Sequence, residues 1–470
     1  MGVPTMRKTR IICTLGPATE SSEQLRELME AGADVFRLNM SHADHDWCRE
    51  IVPRIRRVSA EVGRTVGVLF DLQGPSIRTG DVADKISLEK GDEVEFRKEG
   101  SEPSMSKSTT VNYPGLMNDV SEGSDLTVDN GELLMKVLKI SEDRMTCRVI
   151  TPGAMGSRRH INLPGVRLNL PALTEKDLAD LRVAAECRAD FVAGSFVRDG
   201  GHVRELRAAL EREECEAQIV SKLEDQEAVK HLDDIITESD LVMIARGDLG
   251  IEVHVEELPI IQRRIVKRCH ELGRRVIVAT HMLESMIHNP TPTRAEVTDV
   301  SNAVYEQADA IMLSGETTVG KYPTRCVELM DRVSRRIERS GSLGYGRLAS
   351  LKTEKQKTIL AGVGLADSIQ GSLLVVFTRS GRTAHSASLL RPKTPIFAFS
   401  PDQFVCRALT LSRGVRPFLV AFDQRPRETI SAAVAILREQ REIPEGTPLV
   451  ILSDIMHENH AVDSILLEHA

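Results

Sequence analysis

The sequence predicts an α/β protein: a (β/α)8 TIM barrel, a small β-barrel lid domain inserted into it, and a separate α/β domain at the C-terminus. Three observations carry this. Apolar strand-like runs alternate with helical patterns from the start of the chain; the alternation breaks once, between Thr79 and Arg159, into period-two runs; it then resumes until about eight strand–helix units are reached, the number that closes a barrel. A length of 470 residues is enough for two to four domains with sizeable cores.

In chain order, Arg10 to Thr14 is the first strand, and the serines of Ser21-Ser22-Glu23-Gln24-Leu25 can cap the helix that follows. Val35 to Ser41 and Val66 to Leu72 are the next strands. Lys85 to Glu89, Asp92 to Arg97, Thr109 to Asn112, Ser124 to Asp129, Leu133 to Ile140 and Met145 to Ile150 then alternate with period two, punctuated by Glu99-Gly100 and Asp129-Asn130-Gly131. Strands resume at Asp190 to Phe196, Ala217 to Glu224, Asp240 to Ala245, Arg275 to Thr280 and Ala308 to Leu313, separated by helical patterns such as Thr174 to Glu186 and Glu256 to Glu271. A Gly- and Ser-rich connection, Ser342 to Ser350, leads to strands at Leu373 to Phe377, Ile396 to Phe399, Pro417 to Phe422 and Leu449 to Leu452, and helices at Lys355 to Ile369, from Thr383, and at Arg427 to Glu442. The expected domains are 1–80 with 160–340 for the barrel, 81–159 for the lid and 341–470 for the C-terminal domain.

Composition narrows the functional classes. Hydrophobic residues make up 41% of the chain, but in short interrupted runs, so no transmembrane helix is expected, and Met1 to Arg10 lacks the apolar stretch of a signal peptide. Eight cysteines without C-x-x-C spacing read as reduced thiols of a cytoplasmic protein. A net charge of −8, with no basic run interleaved with aromatics, argues against nucleic acid. Small molecules or further copies of the chain are the expected partners.

Two of the strands end in charge: Ser221-Lys222-Leu223-Glu224 and Arg246-Gly247-Asp248. If they are parallel neighbours, Glu224 and Asp248 approach each other with Lys222 beside them, two hard oxygen ligands next to a mobile cation, which suits a divalent ion and a phosphorylated substrate. The plainer reading makes Arg246 to Gly250 a tight turn and pairs Lys222 with Glu224 at the surface. Arg37-Leu38-Asn39, Asp71 and Thr280 also fall at predicted C-terminal strand ends, the rim where such barrels do chemistry. Thr280 and Ser314 equally fit helix caps. Thr378-Arg379-Ser380-Gly381-Arg382-Thr383 follows a strand and opens a helix, which favours a bound phosphate or is a plain capping turn. The pairs His42/His45 and His457/His460 lack partners for metal binding.

Lys8 to Pro17, Arg37 to His42, Gly74 to Gly80, Ile161 to Asp177, Ser221 to Glu224, Ala245 to Glu252, Ala279 to Met286, Pro292 to Glu296 and Ile311 to Thr317 together resemble pyruvate kinase, in the right order over almost the whole chain. The resemblance implies phosphoryl transfer from phosphoenolpyruvate to ADP, giving pyruvate and ATP in the last step of glycolysis. It also implies roles. Glu224 and Asp248 match the magnesium (or manganese) ligands, Lys222 the lysine that stabilises the transferring phosphoryl group, and Arg37 the phosphate-bridging arginine. Gly247 matches a backbone donor to the substrate carboxylate, which Asp248 and Thr280 flank. Thr280 resembles the threonine tied to protonation of the enolate carbon, and Ser314 a more distant member of that path. Asn39, Ser41, Asp71 and the carbonyl of Leu72 match a potassium site. Asn39, Ser41, His42, Arg78 and Arg159 match nucleotide contacts, with Arg158 able to serve in place of Arg159. Thr378 to Thr383 resembles an effector phosphate site, and the family's usual assembly is an allosteric homotetramer.

Some positions depart from the family pattern. Ser76 stands where a glutamate tied to potassium activation is usual and Gln73 where a lysine is usual, which leaves potassium dependence open. Asn169 replaces an aspartate, and His160 and His281 bring imidazoles towards the rim, where a titration between about pH 6 and 7 is expected. Asp454 to His460 replaces a glycine-rich turn, leaving the effector open between a sugar monophosphate, a nucleotide and none. The rival classes are a barrel enzyme of enolate carbon–carbon chemistry and a catalytically dead metabolite-binding regulator.

Overall fold

The computed structural model describes residues 6–129, 131–440, 443–457 and 460–470, with the side chains of 454–462 outside that description. Eight parallel strands close into a barrel: Arg10–Thr14, Val35–Asn39, Gly67–Asp71, Phe191–Gly194, Gln218–Leu223, Leu241–Ala245, Arg275–Ala279 and Ala310–Leu313, the last pairing back onto the first. Both faces of such a sheet are covered, so its strands read as apolar runs without alternation. Ile12, Leu69, Phe191, Val220, Met243 and Ile277 fill the interior, and the outward residues pack against the helices. Caps start those helices where the sequence places them. Ser21 accepts from the Gln24 amide, and Thr174 and Thr293 close capping boxes with Asp177 and Glu296 at the heads of Glu175–Glu186 and Arg294–Tyr305. Among the described residues no helix is long and apolar enough to cross a membrane.

Between the third and fourth barrel strands the chain leaves for the lid. Six strands form one sheet in the order Ile161–Asn162, Asp125–Val128, Leu133–Ile140, Arg144–Val149, Glu93–Lys98, Ser108–Val111, and Gly153–Met155 pairs with Ile86–Leu88 in a second. Phe96, Leu126, Met135 and Cys147 share one core. The two- and three-residue strands Ile161–Asn162 and Gly153–Met155 were not expected, because so short a run carries no periodicity. Asn130, in the predicted Asp129-Asn130-Gly131 turn, lies outside the described residues.

The C-terminal sheet runs Val415–Leu419, Ile396–Ser400, Leu373–Phe377, Pro448–His457, His460–His469, all parallel except the last. Two expectations need correction. The strand expected at Pro417 to Phe422 spans Val415–Leu419, and the sheet edge is where a proline such as Pro417 is tolerated. The strand expected to end at Leu452 runs on to His457 and is followed by an antiparallel partner, since the mixed polar and apolar run after Ser453 hid the pattern. The helix expected to reach Glu442 is Pro426–Glu439, and Glu442 itself lies outside the described residues.

The C-terminal domain plugs the floor of the barrel. Leu411 belongs to the barrel's interior cluster, and a Cβ at Gly67 would stand 2.7 Å from Thr410 Oγ1 and 2.9 Å from a Phe191 ring carbon, so the close approach requires glycine there. Buried ions join the two bodies. Arg391 Nη1 donates to Asp309 Oδ1 (2.7 Å), whose other oxygen accepts from the Val276 amide (2.9 Å). Burial opposes the charge on Asp309, but Arg391 outweighs it and holds the carboxyl below the usual range. Replacing Asp309 by alanine would strand a buried guanidinium. The expected cost is about 3–5 kcal/mol, read as a lower urea midpoint at unchanged slope; an unchanged midpoint would refute the inter-domain role of the pair.

Candidate active site

The fifth and sixth barrel strands are parallel neighbours in register, Lys222 beside Met243 and Leu223 beside Ile244, so both charged ends emerge on one rim. Arg246 to Gly250 is not a simple turn: it opens a short helix, Arg246–Glu252, directly after the sixth strand. Nor is Lys222 at the surface. Its Nζ lies 2.9 Å from Glu224 Oε1 and 3.3 Å from Asp71 Oδ1, and donates to Ser195 Oγ at 2.7 Å. Arg37 stands alongside, with Nε 2.6 Å from Asp71 Oδ2 and Nη1 3.0 Å from Thr14 Oγ1.

Electrostatics follow from this crowding. Burial would strip Lys222 of its proton, but Asp71 and Glu224 outweigh it and hold the ammonium charged, above its ordinary range. Burial likewise opposes the charge on Asp71, and Arg37 and Lys222 reverse it, keeping the carboxyl low. Glu224 goes the other way. Burial, reinforced by Asp248 and only partly offset by Lys222, pushes its carboxyl up, although it accepts from the Phe196 amide at 2.6 Å. Three carboxylates, Asp71, Glu224 and Asp248, thus face two cations, Arg37 and Lys222, an excess of one negative charge that a further cation would relieve. Among the described residues no three or more His, Cys, Asp or Glu side chains gather to hold a metal. A divalent ion on Glu224 and Asp248 would therefore complete its shell from water and phosphate oxygens, the habit of magnesium.

Thr280 and His281 both adopt left-handed backbone, at φ 66° and 55°. For a β-branched threonine this is strained, by about 1–3 kcal/mol. Arg246 holds it: bidentate to Asp299 at 2.7 Å on each side, it donates to the carbonyls of Ala279 (3.2 Å) and Thr280 (2.7 Å). The result turns Thr280 Oγ1 towards the helix that follows the neighbouring strand, where it accepts from the Gly247 amide at 2.7 Å. That amide, matched by resemblance to a substrate donor, is thus engaged by Thr280. A Cβ at Gly247 would meet Thr280 and His281 only at 3.5 Å, so the protein itself leaves room above it.

The remaining sequence candidates divide by place. Asn39 and Asp71 end adjacent strands in register, the Ser41 amide donates to Asn39 Oδ1 (3.3 Å), and the Leu72 carbonyl accepts from Ser195 Oγ (2.8 Å). Asp71 Oδ1 is buried 3.3 Å from Lys222 Nζ, with no hydrogen bond among the described residues. His42 is exposed on the loop after them. Ser314 follows the last barrel strand; its hydroxyl makes no capping hydrogen bond, its buried Oγ has no partner among the described residues, and its amide donates to Glu316 Oε2 at 2.7 Å. Arg78 and Arg159 belong to the lid seam: Arg78 donates to Ser76 Oγ (3.2 Å) and the Arg158 carbonyl (3.1 Å), and Arg159 to Asp129 Oδ1 (3.3 Å). Arg158 is exposed and paired with Asp81. Thr378 to Thr383 lies far off, in the C-terminal domain. Gly381 begins the helix Arg382–Leu389 at φ 79°, the Ser380 hydroxyl accepts from Arg382 Nε (3.1 Å), and Arg379 lies over the Phe422 ring.

The expected histidine titration does not hold for His160. Its ring stands 4.0 Å from Asp248, but burial, aided by Arg78, pushes it down to about 4, so it is neutral between pH 6 and 7. Sequence reasoning missed Thr14, Ser195 and the contact between Asn162 Nδ2 and Glu252 Oε1 (3.3 Å), which ties the lid's returning strand to the helix bearing Asp248. Thr14 and Ser195 sit at strand ends, and hydroxyls there are the available signal; the Asn162 contact has no local signature.

The description "Pyruvate kinase, barrel domain" matches residues 6–327 and "Pyruvate kinase, alpha/beta domain" matches residues 356–465. A pyruvate kinase of Staphylococcus epidermidis is 38% identical over 459 residues, 96% of this chain and 78% of the relative. Plastidial pyruvate kinase 2 of Arabidopsis thaliana is 38% identical over 454 residues, again 96% and 78%. The crystal structure of a pyruvate kinase from Cryptosporidium parvum superposes with a TM-score of 0.92 at 32% identity, covering 98% of this chain and 96% of that one. With both domains matched and 96% of this chain aligned with those relatives, the chain belongs to the pyruvate kinase family.

Proposed function

We propose that the barrel rim transfers the phosphoryl group of phosphoenolpyruvate to ADP, giving pyruvate and ATP at the end of glycolysis. The observation that carries this is the Lys222 ammonium held charged between Asp71 and Glu224 on one rim of the barrel. Phosphoryl transfer has little covalent work for a protein, so positioning and charge do the catalysis. Lys222 neutralises the moving group, and Arg37, with Nη2 unbonded among the described residues, offers a planar fork to the phosphate. Glu224 and Asp248 fit a magnesium or manganese ion, which supplies charge neutralisation when bound. Asn39, Ser41, Asp71 and the Leu72 carbonyl fit potassium.

Gly247, Asp248 and Thr280 border the carboxylate and enolate end of the substrate, and Thr280 and Ser314 are the groups we assign to proton delivery. Asn39, Ser41, His42, Arg78 and Arg159 face the nucleotide, and the lid excludes water by closing over it. Thr378 to Thr383 remains a candidate site for a phosphorylated effector. Eight free cysteines support a reducing, cytoplasmic setting. A homotetramer is the assembly the family usually adopts. Light scattering in solution is expected to give four chains per particle; a monodisperse monomer would refute it.

Replacing Lys222 by methionine is expected to lower kcat for pyruvate formation by at least about 10²–10³-fold. Equal activity in the two proteins would refute the role of Lys222, and an inactive wild type supplied with magnesium and potassium would favour the enolate or regulator readings.

The seam also has a pH signature. Burial, helped by Asp225, pushes Glu252 up to about 7 against the Asn162 hydrogen bond. A carboxyl raised on folding contributes stability that is full below its unfolded value and is lost as pH rises through about 7. Glu252→Gln should therefore remove up to about 3 kcal/mol of pH dependence between roughly pH 4.5 and 7, seen as urea midpoints that converge with wild type at pH 5 and exceed it at pH 8. Parallel midpoints at both pH values would exclude this account.

A further inference from the structure

A cleft of about 810 Å³ opens at the seam between barrel and C-terminal domain. It lies at the end of the barrel opposite Lys222, since Arg64 and Arg188 on its walls precede the third and fourth strands. Five arginines line it against one glutamate. Arg49 and Arg56 come from the helix His45–Val62, and Arg407 from the helix Gln403–Ala408 of the C-terminal domain.

The carboxylates behind these cations are shared thinly. Glu186 takes Arg49 at 2.8 Å, while Asp190 is divided between Arg56 (2.7 Å) and Arg407 (2.6 Å). Asp34 stands 3.6 Å from Arg64 and is already bonded by Arg7 and Arg10. Arg407 uses only Nε on Asp190, so its two terminal nitrogens have no hydrogen-bond partner among the described residues. Arg188 is exposed, in left-handed backbone (φ 48°), with neither an ion pair nor a side-chain hydrogen bond among those residues. Burial, with Arg407 adding to it, pulls the Arg56 guanidinium below its ordinary value, as expected where like charges crowd. Planar guanidinium forks suit the oxygens of a phosphate, and Val52, Pro53 and Ala60 offer apolar wall to the body of a small organic molecule.

We propose that this cleft binds a phosphorylated small molecule, its phosphate held by Arg188 of the barrel and Arg407 of the C-terminal domain, so that the ligand ties the two bodies together. Because one arginine comes from each body, the ligand favours the docked arrangement and stabilises it by mass action.

Titration calorimetry and thermal denaturation on the full chain test this, with a hexose monophosphate and inorganic pyrophosphate as probes. The hexose monophosphate is expected to bind wild type and raise its melting temperature. Arg188→Glu, at an exposed side chain, should weaken that binding at least about tenfold, as should Arg407→Gln, whereas Arg382→Ala in the distant C-terminal loop should leave it intact. Four outcomes overturn the proposal: no binding to wild type, equal binding by Arg188→Glu, loss of binding in Arg382→Ala, or binding of pyrophosphate without the sugar phosphate.

Discussion

The contact on which the rest of the structure depends is that of the Lys222 ammonium with Asp71 and Glu224. Each pair attracts by about 5 kcal/mol at an effective dielectric of ~20, close to the several kcal/mol that each buried ion loses in hydration. The balance is near zero. Such a cluster adds little net stability, yet it can trade protein partners for ligand ones at small cost, which is what a phosphoryl-transfer site needs. Closure of the barrel makes it possible, because it brings Asp71 from the third strand and Lys222 from the fifth to one rim across the short fourth strand.

Around that cluster the chain holds local conformations it would not otherwise adopt. Thr280 stays in a left-handed backbone only because Arg246 grips the carbonyls on both sides of the bend and is itself fixed by Asp299. The lid is joined to the same region by Asn162 on Glu252, at the far end of the helix that begins with Arg246. A displacement of the lid therefore reaches Asp248 through one short helix.

The opposite end of the barrel is cemented by charge as well. Asp34, Asp190 and Asp309 each anchor at least one arginine there, and for Asp190 and Asp309 one comes from the C-terminal domain. With Leu411 inside the barrel, the two bodies share one core. The arginine-lined cleft belongs to this cement, which is why an anion lodged there would act on the joint and not on a loose surface.

The sequence by itself determined the layers and the main actors. Strand runs buried on both faces and capped helices read directly as barrel units, and charges at or near the C-terminal ends of strands named Arg37, Asp71, Lys222, Glu224 and Asp248, because a strand end in a parallel barrel has one fate. Tertiary structure decided what no local pattern encodes. The pairing of Lys222 with Asp71 spans 151 residues of chain, Ser195 and Thr14 became part of the site through strand order, and His160 lost its expected titration to burial. The C-terminal hairpin was hidden for the complementary reason: its strands mix polar and apolar residues, and only pairing in the sheet gives that pattern a meaning.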